Sequence, residues 1–348
     1  VLDFFRIIFS PLVVVYGSVI WLRNFFFDRG IFKVKKADAK VISIGNLTVG
    51  GSGKTPTVIY LTEMLKNSGR KVGVLSRGYR RKTKGYKLVS DYNGPEMAVE
   101  DCGDEIYLVA DELRVPTAVA ESRVEGAGKF ISDTGVDTIV LDDAYQHRWI
   151  HRDLNILIFD QRFLEKCGSL EHLLLPAGLM REPLSSVKRA DIIIINRKFT
   201  EKREIPEKFK KYFEGKSVFY ANYEATGFYD VKDHKFYGLD DFKGQKSLVV
   251  CGIARPYSFL KILEEHNIDI SNKELFNDHK FYNDKEIQEI RKLFYSVNAH
   301  SVITTQKDAV KLTHFSREMD DIDIYYLKIA LKIEDEDKFV NRIEKIFS

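Results

Sequence analysis

Between Lys40 and Arg197 the hydrophobic positions fall into short solid runs separated by amphipathic stretches. The runs at 41–44, 72–75, 117–119, 138–141, 156–159 and 192–195 are only a few residues long and dominated by Val, Ile and Leu. That pattern predicts strands buried on both faces, as in a parallel sheet. Stretches such as 58–67 and 105–113 carry apolar residues at helical spacing and predict the covering helices. Alternation of the two predicts an α/β fold, a parallel sheet flanked by helices. From 199 to 246 the pattern turns charged and aromatic, with Tyr and Phe alternating near 229–237, and predicts a connector with a β-hairpin. After it α/β character returns: strands at 248–251, 302–305 and 324–327, a helix from Pro256 and a closing helix at 335–347. The expected organisation is an apolar segment 1–30, an α/β domain 31–198, the connector 199–246 and a smaller α/β domain 247–348.

The N-terminal segment is set apart by its pattern. An uncharged run, IIFSPLVVVYGSVIWL, lies between Arg6 and Arg23 and is followed by Phe25-Phe26-Phe27 and a group of lysines, Lys33, Lys35, Lys36 and Lys40. A bilayer-spanning helix takes roughly 20 apolar residues, and this run is shorter, with Pro11 near its start. No small-residue cleavage site follows, which argues against a secretory signal. The reading preferred is a helix lying in a membrane surface, with aromatics at headgroup depth and lysines towards anionic lipid; the alternative is a helix packed on the main domain.

Composition narrows the picture only modestly. The chain has 348 residues, 44% of them hydrophobic, and a formal charge of +3. It can bury real cores, and its charge asks for no nucleic-acid partner. Cys102, Cys167 and Cys251 form no Cys-x-x-Cys pair, which disfavours zinc or a disulfide framework and fits a reducing compartment.

The chemistry is concentrated after the first strand, in Thr48-Val49-Gly50-Gly51-Ser52-Gly53-Lys54-Thr55. Gly53-Lys54-Thr55 meets the end of the phosphate-loop pattern, whereas Thr48 stands at its first glycine. The glycines let the backbone approach phosphates, and the following helix adds its dipole. Lys54 would neutralise the terminal phosphates of ATP and Thr55 would ligate Mg²⁺. Asp142-Asp143 ends the strand at 138–141, where the acidic partner of such a metal belongs. The stretch His151-Arg152-Asp153-Leu154-Asn155 imitates a protein-kinase catalytic loop, but Ile158 occupies the second metal-ligand position and no Asp-Phe-Gly exists.

The motifs ISIGNLTVGGSGKTP (42–56), LSRGYRRK (75–82), GDE (103–105), LDDAYQHR (141–148), HRDLNILIFD (151–160), LLPAGLMREPL (174–184), FNDHKF (276–281) and TTQKDAVKL (304–312) resemble the tetraacyldisaccharide 4′-kinases over essentially the whole chain. Departures include Ala144, Tyr145, Lys280 and Gln306. The resemblance implies phosphoryl transfer from ATP, with Mg²⁺, to the 4′-hydroxyl of a tetraacylated glucosamine disaccharide 1-phosphate in lipid A biosynthesis. It also implies work at the cytoplasmic face of the inner membrane, peripheral or monotopic, without an obligate protein partner. Asp104 and His279 map to an acid–imidazole dyad that takes the acceptor's proton; the other reading of Asp104 is a helix N-cap. Lys54, Asp142 and Asp143 are the further catalytic candidates, and Thr55, Asp142, Asp143 and Glu105 the metal candidates. Arg77, Arg123, Gln146, His147 and Arg148 are candidates for holding the acceptor, arginine forks matching its phosphate. A membrane-bound nucleotide switch, whose base-reading motif would be the broken Asn196-Arg197-Lys198, and a soluble small-molecule kinase are the competing readings.

Overall fold

The structure, a computed structural model, describes residues 10–166, 169–278 and 280–348. Helix α1 (Ser10–Asp28) leads into β1 (Lys40–Asn46), α2 (Lys54–Asn67), β2 (Val72–Ser76), β3 (Lys87–Ser90), α3 (Val99–Cys102), α4 (Asp104–Leu113), β4 (Thr117–Val119), α5 (Arg123–Thr134) and β5 (Thr138–Leu141). There follow β6 (Leu154–Asp160), α6 (Gln161–Glu165), β7 (Ile192–Lys198), α7 (Glu207–Phe213), β8 (Ser217–Asp230) and β9 (Phe236–Tyr237). The chain continues through β10 (Ser247–Cys251), α8 (Pro256–Glu265), β11 (Asn272–Leu275), α9 (Asp284–Ser296), β12 (Ser301–Thr305), α10 (Gln306–Leu312), β13 (Ile324–Ile333) and α11 (Glu336–Glu344).

All of these strands join one 13-stranded sheet in the order β11-β10-β12-β13-β8-β7-β6-β1-β5-β2-β4-β3, with β9 paired on β8. The expected α/β class is therefore observed. Two parallel blocks meet at β8 and β13, which pair antiparallel from Tyr325 opposite Asp230 to Ile333 opposite Ala221. Strand β1 lies inside the larger block, Ile42 lying beside Val140 of β5 and Leu154 of β6. Every residue of β1 beyond Lys40 is buried, as its unbroken apolar pattern demands. Ile42, Ile44, Leu61, Val74 and Val140 pack in one core with Phe339 and Ile343 of α11, so the last helix belongs to the same core as the first strand. Arg70 secures that return by stacking on Phe347, 3.9 Å from the ring centre, and pairing with Glu344 at 3.0 Å.

Helix α1 packs on this body by one face only. Ile20 and Phe27 are buried, the Tyr16 hydroxyl donates to the Arg181 carbonyl at 2.9 Å, and Arg23 pairs with the fully buried Glu182. Phe27 and Phe32 lie 4.8 and 4.9 Å from the Trp149 ring. Leu12, Val15, Val19 and Leu22, a stripe at helical spacing, face solvent together with Val14 (70% exposed) and Trp21 (65%). No described helix is long and apolar enough to cross a membrane.

Candidate active site

In an open parallel sheet ligands gather at the carboxyl ends of the strands, because the loops there hold helix N-termini. The C-terminal end of β1 carries the phosphate loop, that of β2 carries Ser76 and Arg77, and that of β5 carries Asp142 and Asp143. Across from them the ends of β10 and β12 bring Ile253–Arg255 and Thr305–Lys307 to the same place. Between the two sets lies a cleft of about 920 Å³ that reaches residues of both parallel blocks.

The loop's own geometry follows from its glycines and from what holds it. Gly50 and Gly53 adopt φ of 98° and 97°, a region closed to ordinary side chains. A Cβ on Gly53 would also lie 2.1 Å from Asn196 Nδ2 and 2.3 Å from the Tyr223 hydroxyl oxygen, so only glycine fits. The loop's carbonyls are engaged by side chains. Lys198 Nζ donates to Gly51 O at 2.9 Å, Asn196 Nδ2 to Ser52 O at 3.2 Å, and Thr57 Oγ1 to Gly53 O at 2.9 Å. Inside the turn Asn46 Nδ2 donates to Ser52 Oγ at 2.7 Å. This is the arrangement a phosphate cradle needs if its N–H groups are to turn towards an anion. Asn196 and Lys198 thus brace the loop instead of forming a base-reading motif. Pro56 sits in the first turn of α2, where a missing N–H costs nothing.

The two carboxylates after β5 have different surroundings. Asp142 is 4% exposed, accepts from Ser76 Oγ at 3.1 Å through Oδ2, and has an Oδ1 with no partner among the described residues. Burial, then Glu105 and Asp143, push its pKa up to about 7. Asp143 takes a positive φ of 45°, which turns its carboxylate towards Lys54 Nζ, 3.9 Å away. Burial alone would raise Asp143, but Lys54 and Arg181 outweigh it and hold it at about 2. Arg181 grips both Asp143 oxygens, at 2.8 and 3.1 Å, and also bonds Asn46 Oδ1. This arginine was missing from the sequence-derived set, although it lies in the LLPAGLMREPL motif.

On the opposite wall, Asp104 opens α4 and is 3% exposed. Gly103 holds the cap position of α4, so Asp104 is its first helical residue rather than its N-cap. Its Oδ2 lies 3.6 Å from Lys311 Nζ and 3.7 Å from Lys307 Nζ, and Lys307 also approaches Glu105 at 3.3 Å and Asp278 at 3.9 Å. Burial would lower the Lys307 pKa, but Glu105, Asp104 and Asp278 raise it overall. Lys307, contributed by TTQKDAVKL, is a second residue the sequence reading did not single out. His279 lies outside the described residues.

The acceptor candidates divide. Arg77, Arg123, Gln146 and His147 line the cleft, as do the nucleotide candidates Thr48, Val49, Gly50, Gly51, Ser52, Gly53, Lys54 and Thr55 and the acidic Glu105, Asp142 and Asp143. Arg77 is exposed there, whereas Arg123 is buried and donates to the Ala120 carbonyl at 3.0 Å. His147 has an Nε2 without a partner among the described residues, and burial, then Arg123, lower its pKa to about 4. Gln146 Nε2 donates to Asn46 O at 2.9 Å. Arg148 is not brought to the cleft. It holds Asp28 at 2.7 Å, bonds Asn24 and covers the Phe27 ring, fastening the end of α1.

Residues 5–348 match the family described as LpxK, tetraacyldisaccharide-1-P 4′-kinase. The tetraacyldisaccharide 4′-kinase of Aquifex aeolicus is 34% identical over 338 residues, covering 97% of this chain and 98% of that one. The protein of the same name from Bdellovibrio bacteriovorus is 36% identical over 310 residues, covering 88% and 89%. The crystal structure of the "apo" form of Aquifex aeolicus LpxK in complex with ATP superposes with a TM-score of 0.82 at 33% identity, covering 99% of this chain and all of that one. With its phosphate loop and paired aspartates set in a matching fold, this chain belongs to the tetraacyldisaccharide 4′-kinase family.

Proposed function

We propose that this protein transfers the γ-phosphoryl group of ATP to the 4′-hydroxyl of a tetraacylated disaccharide 1-phosphate, a step of lipid A biosynthesis. The observation that carries the reading is the single cleft in which Lys54, Asp142 and Asp143 face Glu105 and Lys307. Phosphoryl transfer needs little covalent chemistry from the protein; it needs the donor fixed, charge offset and the acceptor's proton removed. The loop with Lys54 holds the donor phosphates. The orphaned Oδ1 of the buried Asp142 fits a divalent cation; the described residues hold no preformed cluster of three acidic or imidazole ligands, so Thr55, Asp143 and Glu105 are proposed to join it only when the donor phosphates are bound. Mg²⁺ held by these residues would supply positive charge to offset that of the donor phosphates. Asp104, buried beside two lysines, is proposed to orient His279 as the base for the acceptor hydroxyl. Arg77, Arg123, Gln146 and His147 are proposed to hold the acceptor's polar part. Closure of segment 247–348 on segment 31–198 would exclude water from the site.

The acceptor's acyl chains lie in a bilayer, and the exposed apolar stripe of α1 supports a peripheral or monotopic seat on the cytoplasmic face of the inner membrane. Incubation with ATP, Mg²⁺ and detergent-dispersed disaccharide lipid tests the activity. Phosphorylated lipid is expected; release of free phosphate without lipid product would leave the nucleotide-switch reading standing. In the same assay Asp104→Ala is expected to lower kcat by on the order of 10²–10⁴ with ATP still bound. A near-normal single-turnover rate would remove Asp104 from the acceptor chemistry.

A further inference from the structure

A single carboxylate ties the phosphate loop to the opposite wall of the cleft. Asp160, the last residue of β6, is 5% exposed. Its Oδ1 caps α6 by accepting from Arg162 N at 3.0 Å. Its Oδ2 receives two cations, Lys198 Nζ at 2.8 Å and Arg255 Nη1 at 2.6 Å. Lys198 ends β7 in a left-handed conformation (φ 55°) and also donates to Gly51 O of the phosphate loop. Arg255 comes from the other parallel block, immediately before α8, next to Ala254, whose Cβ would lie 4.0 Å from a Cβ on Gly51. Both cations line the cleft. Without Asp160 they would face each other as like charges in a half-buried place, and the tie would become a repulsion.

We propose that Asp160 is a positioning residue for nucleotide binding, and that its pairing with Arg255 favours the arrangement in which the β10–α8 wall is closed on the phosphate loop. Preorganisation of this kind lowers the cost of ordering the site on binding and therefore acts on nucleotide affinity more than on the chemical step. The two partners act as one unit. Asp160→Asn keeps the α6 cap, because an amide oxygen still accepts from Arg162 N, but removes the charge. Arg255→Gln removes the other end at a partly exposed site and leaves Lys198 in place.

The inference rests on the phosphate loop being the ATP site, and the two are tested separately. Titration of the wild-type protein with ATP and Mg²⁺ establishes the site itself. In each single variant the Kd and KM for ATP are expected to rise about tenfold, with KM for the lipid unchanged and kcat changed less than about twofold. The Asp160→Asn/Arg255→Gln double variant is expected to be no worse than the poorer single variant. Arg255→Lys is expected to recover part of the loss. Unchanged ATP affinity in Arg255→Gln would overturn the proposal, as would strictly additive losses in the double variant or equal losses in kcat. If Asp160→Asn fails to fold, Arg255→Gln and Arg255→Lys decide the matter alone.

Discussion

Arg181 holds both carboxylate oxygens of Asp143, at 2.8 and 3.1 Å, and so sets which of the two adjacent aspartates faces Lys54. Asp143 sits at a positive φ that a β-carboxyl residue tolerates better than most, but the fork keeps the side chain in one direction. Arg181→Lys cannot reproduce two parallel bonds. The expected outcome is a fall in kcat of about 10- to 100-fold with native thermal stability. Steady-state kinetics beside a melting curve check it, and full activity in Arg181→Lys would show that a point charge suffices.

The pH dependence of stability follows from two groups with opposite shifts. Asp142 is raised from 3.8 to about 7, so the folded state favours its proton. The stability contributed by that proton is fully present below about pH 4 and is lost as pH rises through about 7. His147 is lowered from 6.5 to about 4, so its contribution is present above pH 6.5 and lost as pH falls towards 4. Between these limits the two slopes oppose each other; at the alkaline end only Asp142 acts. The ligand-free Asp142→Asn variant should therefore melt above the wild type at pH 8, and the gain should shrink at pH 5. A gain independent of pH would show that the carboxylate does not carry the slope.

Glu182 is fully buried and is held by Arg189 at 2.6 Å and by Arg23 of α1. Replacing it with Gln leaves Arg189, whose side chain is 9% exposed, without its counter-charge. Breaking a buried pair from one side costs about 3–5 kcal/mol. Urea unfolding should show a loss of that order, and α1 should become more susceptible to limited proteolysis than the body. Equal susceptibility of α1 in both proteins would mean the Arg23 contact does not anchor the helix.

The exposed stripe of α1 makes a prediction that leaves the catalytic residues untouched. Val15→Glu with Val19→Glu places two charges on the face directed at solvent. Co-sedimentation with anionic phospholipid vesicles should fall about tenfold or more, whereas turnover of detergent-dispersed lipid should be preserved. Unaltered sedimentation would assign vesicle binding to another surface.

The parts of this site that the sequence revealed are those made locally. Gly50, Gly53 and Lys54 are readable because a turn, a close approach and a charge fall within a few positions, and Asp142 because an apolar strand ends on it. Arg181 and Lys307 escaped separate notice because their roles depend on contacts with Asp143 and with Asp104, Glu105 and Asp278, remote in the chain. Arg148 had an acceptor's chemistry but a structural neighbour in Asp28. The strands of both blocks were visible as apolar runs, whereas the short edge strands β3 and β11, with mixed patterns and partial exposure, were not. Nor could periodicity say that β8 would extend over 14 residues and join both blocks, since pairing is a long-range choice.

The position of α11 has a consequence for how the protein is made. Phe339 and Ile343 complete the core around Ile42 and Leu61, yet they leave the ribosome almost 300 residues after β1 does. Until they arrive, the inner face of α2 and the sheet beneath it must wait with part of their apolar surface open to water, a state prone to association. The phosphate loop is encoded early, but it gains its finished foundation only when synthesis has passed residue 343.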